Sequence, residues 1–106
     1  TGLEGLRLIE EPEGTRGNYW HYSLVIDREE GSHDRDHLLK SLRENGIDSR
    51  PLWDLIHTQK PYRKFPAWQI DKAAGYVKKV LNLPCSVGIT DDQITTVVQA
   101  IRKFFK

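Results

Sequence analysis

Between residues 50 and 65 the chain carries Arg50, His57, Lys60, Arg63 and Lys64 interleaved with Trp53, Tyr62 and Phe65. That mixture suits an anion attached to a flat or ring-shaped group. Arginine offers a planar fork for phosphate, lysine a point charge, and an aromatic ring a face on which a base or sugar can stack. A solvated loop whose aromatics only anchor it to the core would use the same residue types, and composition alone does not separate the two.

Three other groupings carry less. His33-Asp34-Arg35-Asp36-His37 places two imidazoles four residues apart, on one helix face, as in the zinc-binding H-E-x-x-H pattern. Here Asp34 stands where that pattern has glutamate, aspartate is expected at a helix start on dipole grounds, and no third ligand is evident. A solvated helix terminus is the simpler reading, and no metal is expected. Cys85, flanked by Leu83, Pro84 and Val87, reads as a small buried apolar side chain rather than a nucleophile. No carboxylates are spaced for acid/base work, no glycine-rich phosphate motif occurs, and Glu10, Glu11, Glu13, Glu29 and Glu30 read as solvated loop charges. No residue is assigned a catalytic role.

The elements that must position the basic, aromatic stretch follow from periodicity. Residues 1–18 form an irregular lead-in with room for one edge strand at Leu6-Arg7-Leu8-Ile9. Tyr19 to Asp27 alternates with period two and predicts a strand. A polar turn over Arg28 to His33 leads to a helix of roughly a dozen residues, with Leu38, Leu39 and Leu42 on one face and Gly46 as its C-terminal cap. Ile47 to Trp53 predicts a second strand, held to an edge by Pro51. Asp54 to Pro66 is a long loop, a kind of segment that is usually functional or mobile.

Ala67 to Lys79 predicts a helix begun by Pro66, burying Ile70, Ala73, Ala74 and Val77. Val80 to Cys85 predicts a short strand stopped by Pro84. In the last helix Thr90 and Gln93 form a capping box, Asp91 and Asp92 favour the positive end, and Arg102, Lys103 and Lys106 the negative end. Its buried stripe is Ile94, Val97, Val98, Ile101 and Phe105. The resulting β-α-β-α-β-α order predicts an α+β fold: a small, mostly antiparallel three-stranded sheet with helices packed on one face. The other face would meet solvent or another domain.

Composition narrows the classes. The 106 residues fit one domain, and with 38% hydrophobic and 29% charged residues and no apolar run near a membrane span's length the chain reads as soluble, without a membrane partner. No signal-peptide pattern opens it. One cysteine excludes an internal disulfide and fits a reducing compartment, with cytoplasm the default. Sixteen basic against fifteen acidic side chains give a formal charge of +1 with the signs interspersed, so there is no global case for nucleic acid, and any anion site is local. The chain begins at Thr1 and contains no methionine, so an excerpt of a longer protein is expected.

From Trp20 onward the chain resembles the C-terminal small domain of the DegT/DnrJ/StrS family of pyridoxal-phosphate-dependent sugar aminotransferases. The resemblance rests on the tryptophan-bearing strand, Leu42-Arg43-Glu44-Asn45-Gly46-Ile47, Ser49-Arg50-Pro51-Leu52-Trp53, and His57 before Pro61-Tyr62. Leu83-Pro84 before the Thr90 cap completes it. Gln59-Lys60-Pro61-Tyr62, Ile70-Asp71-Lys72-Ala73 and Leu81-Asn82-Leu83-Pro84-Cys85-Ser86 look most like the branch that aminates 4-keto-6-deoxy N-acetyl sugar nucleotides in legionaminic-acid-type pathways.

The resemblance implies residues 19–106 as the small domain of a fold-type I aminotransferase that moves an amino group from glutamate to a keto sugar nucleotide. It implies pyridoxal phosphate in the full-length enzyme, bound by a large N-terminal domain and a homodimeric partner. None of the eight lysines lies in a segment like the family's Schiff-base segment, so the chain alone is expected to bind no cofactor and to be inactive. By resemblance Arg50, Trp53, His57 and Tyr62 border the substrate cleft. A free-standing nucleotide- or protein-binding regulatory domain on the same fold is the alternative of a different class. A single-stranded nucleic-acid binder using Tyr62, Phe65 and the adjacent cations is a third.

Overall fold

A computed structural model describes residues 2–28, 31 and 33–106. It contains β1 (Leu6–Leu8), β2 (Tyr22–Ile26), α1 (Arg35–Glu44), β3 (Arg50–Pro51), a 3-10 turn (Ile56–Thr58), α2 (Asp71–Lys79), β4 (Val80–Leu83) and α3 (Asp91–Phe104). The strands form one antiparallel sheet in the order β1-β2-β4-β3. The α+β class, the antiparallel pairing and the edge position of the Pro51 strand are as expected.

The strand count is not. Leu6–Leu8 pairs with Leu24–Ile26 and makes a fourth strand, because Leu6 is apolar enough to join the core. The polar turn expected at 28–33 includes Glu29, Glu30 and Ser32, which lie outside the described residues.

The core lies between the sheet and α1 with α3. Leu24, Ile26 and Leu81 from the central strands meet Leu38 and Leu42 of α1, and Ile101 and Phe105 from the end of α3. Val25 and Val80 alternate away from that cluster, yet both are buried; α2 runs directly into β4 and contacts β2.

Both helices of the core are locally specified. Asp34 Oδ1 accepts the His37 N–H at 2.9 Å and starts α1. At its other end the Ile47 N–H reaches the Leu42 carbonyl and the Gly46 N–H the Arg43 carbonyl, with Gly46 at φ +72°. This is the Schellman arrangement, in which glycine supplies the left-handed residue and the flanking Leu42 and Ile47 close it in the core. In α3 the Thr90 hydroxyl accepts the Gln93 N–H while the Gln93 side chain accepts the Thr90 N–H, the capping box expected.

Several boundaries move. β2 starts at Tyr22, because Tyr19 sits at φ +49° and turns the chain before the ladder begins. The strand expected over 47–53 pairs only at Arg50–Pro51. The helix expected from Ala67 starts at Asp71: Gln69 at φ +49° interrupts it, and Ile70, its N-cap, has no side chain able to cap. Ile70, Ala73, Ala74 and Val77 are half-buried. Ile94 and Val98 are exposed at 45% and 40%, whereas Val97, Ala100, Ile101 and Phe104 of the same helix pack in or against the core.

Candidate functional site

Two of the four expected site residues, Arg50 and Trp53, lie at the β3 edge of the sheet, near the residues that lead into β2. Arg50, placed opposite Asn82 by the β3–β4 ladder, lines a hollow of about 420 Å³ with Trp20, His21 and Cys85. Trp53 follows three residues later, as the chain leaves the ladder, and is 68% exposed. Its indole meets Trp20 and His21 edge-on at 5.8 and 5.9 Å, while Trp20 and His21 stack at 4.8 Å. These are favourable aromatic geometries, yet Trp20 is itself 66% exposed. The result is an open three-ring platform with a guanidinium close by.

Arg50 meets Asp48 at 3.3 Å, an exposed pair of small energetic consequence. The Cys85 thiol donates to the Trp20 carbonyl at 2.9 Å. Cys85 is therefore half-buried beside the platform rather than enclosed in the core as expected.

His57 and Tyr62 lie in a second hollow, of about 500 Å³, walled by apolar side chains including Ile56, Phe65 and Trp68. His57 is half-buried on the 3-10 turn, and Tyr62 is exposed on the turns that follow. The cations of the loop divide. Arg63 Nε donates to the Thr58 carbonyl at 2.7 Å and so fastens the loop, and Lys64 lies over the Phe65 ring at 5.4 Å. Lys60 is exposed.

The His33/His37 pair does not share a helix face, since α1 begins after His33. His33 packs on Phe104 and Phe105, whereas His37 Nδ1 lies 2.9 Å from Asp34 Oδ1. The Asp34 pKa is held below its ordinary value chiefly by the backbone N–H of His37, then by the His37 side chain. Trp20 and His21 were missing from the residues singled out for the site. Only their aromatic character was visible in the sequence, because the β2–β4–β3 order is what brings them to Trp53.

The chain is thus a four-stranded α+β domain that presents an aromatic platform and a basic loop on its rim. The chain belongs to the DegT/DnrJ/EryC1/StrS aminotransferase family, whose model matches residues 1–102. It is 31% identical over 103 residues to GDP-perosamine synthase of Vibrio cholerae, covering 94% of this chain and 27% of that protein. With GDP-perosamine synthase of Caulobacter vibrioides it shares 32% over 84 residues, covering 78% of this chain and 22% of that one. The aminotransferase TlmJ of Streptoalloteichus hindustanus has the same fold over 97% of this chain and 27% of its own, with TM-score 0.81 at 20% identity. The chain thus spans about a quarter of the length of these relatives.

Aminotransferases of this family depend on pyridoxal phosphate. The residues present do not fit that cofactor. Its attachment needs a lysine in an enclosed site beside a carboxylate and a phosphate cradle, whereas Lys40, Lys60, Lys64, Lys72, Lys78, Lys79, Lys103 and Lys106 are all exposed. Lys79 is paired with Asp27 at 3.4 Å and Lys40 with Glu44 at 4.0 Å. No chemical step is therefore assigned to this chain's own side chains. Among the described residues no helix is long and apolar enough to cross a membrane.

Proposed function

We propose that this chain is the C-terminal domain of a cytoplasmic, homodimeric, pyridoxal-phosphate-dependent aminotransferase that transfers an amino group from glutamate to a keto sugar nucleotide. Amino-sugar or cell-surface polysaccharide biosynthesis would use the product. Residues 19–106 act as the small domain and residues 1–18 as the lead-in that contributes β1. The large N-terminal domain supplies the cofactor site, and the chain alone is inactive.

The observation that carries this reading is the family match along almost the whole chain, combined with coverage of only about a quarter of relatives named for GDP-perosamine synthesis. Arg50, Trp53, His57 and Tyr62 border the substrate cleft, where the rings stack on the sugar or base and Arg50 pairs with phosphate. Their contribution is orientation: holding the keto carbon at the cofactor converts an encounter into a positioned reaction. Trp20 and His21 complete the same wall.

Amino transfer by the complete gene product from glutamate to a panel of keto sugar nucleotides, including GDP- and UDP-linked N-acetyl sugars, tests the reading and separates the branches. Turnover of a keto sugar nucleotide supports it. A complete gene product without a cofactor-binding domain would leave the binding-domain alternative in its place.

A further inference from the structure

On the inner strand β4, Asn82 lies between Ser23 of β2 and Arg50 of β3, each directly opposite it in register. Residues so paired on neighbouring strands project from the same face, about 5 Å apart at Cβ. Asn82 is only 7% exposed, yet it lines the hollow that holds Trp20, His21 and Arg50. The Ser23 hydroxyl occupies its Oδ1 at 2.7 Å, and among the described residues its Nδ2 donates to no protein group. Buried amides are almost always paired at both ends, so an amide nitrogen left open in a hollow points to an acceptor on a ligand. Arg50 has the same character. Its only charged partner among the described residues is the exposed carboxylate of Asp48 at 3.3 Å, which leaves most of its donors free.

We infer that Asn82 Nδ2 and the Arg50 guanidinium together grip one phosphate group of the sugar nucleotide, and that Asn82 fixes where that phosphate lies. The inference rests on the reading that the full-length enzyme acts on a sugar nucleotide, and it adds a binding residue which that reading lacks. Donor chemistry decides the ligand class. Two adjacent donor groups, one of them charged, match a group that only accepts hydrogen bonds and carries negative charge, whereas a sugar hydroxyl also needs an acceptor. The carboxylate at hand, Asp48, is already turned to Arg50. Freedom of motion separates the two roles. Arg50 is long and exposed and supplies attraction; Asn82 is short, nearly buried and tied to Ser23, so it supplies position. The rings of Trp20, His21 and Trp53 beside them are left for the flat or cyclic part of the same molecule.

Inhibition of the complete gene product's sugar-nucleotide half-reaction by GDP and UDP, and by guanosine and uridine, tests this in Asn82→Asp. That variant keeps the acceptor for Ser23 and replaces the open amide nitrogen with an oxygen. The inhibition constant of the nucleoside diphosphate should rise about tenfold or more, the worth of one charged hydrogen bond, and that of the nucleoside by less than about twofold. Asn82→Ser, smaller and uncharged, should show the same selective loss and serves where the aspartate variant does not fold. No loss, or equal losses for nucleoside and diphosphate, overturns the inference and leaves Asn82 a structural residue. A loss confined to the complete sugar nucleotide overturns it in favour of the sugar ring as the group read. Each of these results, in an enzyme that turns over a keto sugar nucleotide, leaves the functional reading standing. Absence of any such turnover overturns both.

Discussion

Ser23 Oγ donates a 2.7 Å hydrogen bond to Asn82 Oδ1, directly across the β2–β4 ladder. Asn82 is one of two buried polar residues among those described, and its neighbour on the other side is Arg50 of β3. The pair ties the register of the central strands to the edge that carries Arg50.

Ser23→Ala should therefore destabilise the chain by ~1 to 3 kcal/mol, because it leaves a buried amide oxygen without that donor. Asn82→Ala should cost a similar amount, and the double variant less than the sum. Urea unfolding of the four proteins checks the cycle. Strict additivity would mean that the bond contributes nothing.

The two ends of α3 should respond differently. Ile101→Ala removes a side chain only 7% exposed in the core and should cost ~2 to 5 kcal/mol. Ile94→Ala, at an exposed position of the same stripe, should stay within about 0.5 kcal/mol in the isolated chain. Equal costs would contradict the placement of the helix.

Acid should weaken the start of α1. The Asp34 carboxyl titrates below its ordinary value of 3.8 because its charged form accepts the His37 N–H. Its contribution is therefore complete above the unfolded value and is lost as pH falls through the lower, folded value. Asp34→Ala should cost ~1 kcal/mol near neutrality, whereas Asp34→Asn keeps a cap and removes this acid dependence. Urea midpoints of wild type and Asp34→Asn should shift toward the variant's favour as pH drops from about 6 to about 2. A shift toward wild type would contradict the cap.

What the sequence disclosed followed from local chemistry. The Thr90/Gln93 box, Gly46 and the Leu38/Leu42 face each act within one or two helical turns, so their residues were sufficient evidence. Ala67 looked like a helix start because Pro66 preceded it, but the left-handed Gln69 decides the boundary and glutamine gives no sign of that conformation. Ile94 and Val98 matched the periodicity, yet burial depends on which residues of α3 meet the core, and those are Val97, Ala100, Ile101 and Phe104. At the site, Arg50 and Trp53 were legible as a local motif. Their partners Trp20 and His21 lie about thirty residues away and become neighbours only through sheet order. Of the four chosen residues, Arg50 lines one hollow and His57 and Tyr62 another, while Trp53 reaches the first only through its ring contacts with Trp20 and His21.

The most direct measurement of the proposed function is made on the complete gene product, following the proposed glutamate and sugar-nucleotide half-reactions separately through the absorbance of added pyridoxal phosphate, with thermal midpoints alongside. Arg50→Ala and His57→Ala should each lower kcat/KM for the sugar nucleotide by about tenfold to a hundredfold, the equivalent of one charged hydrogen bond in the transition state. Glutamate carries no nucleotide, so its half-reaction should suffer less, and the midpoints should hardly move because Arg50 is exposed and His57 lies outside the core. Variants that melt early and lose both half-reactions equally would show that these residues support the fold and do not bind the substrate.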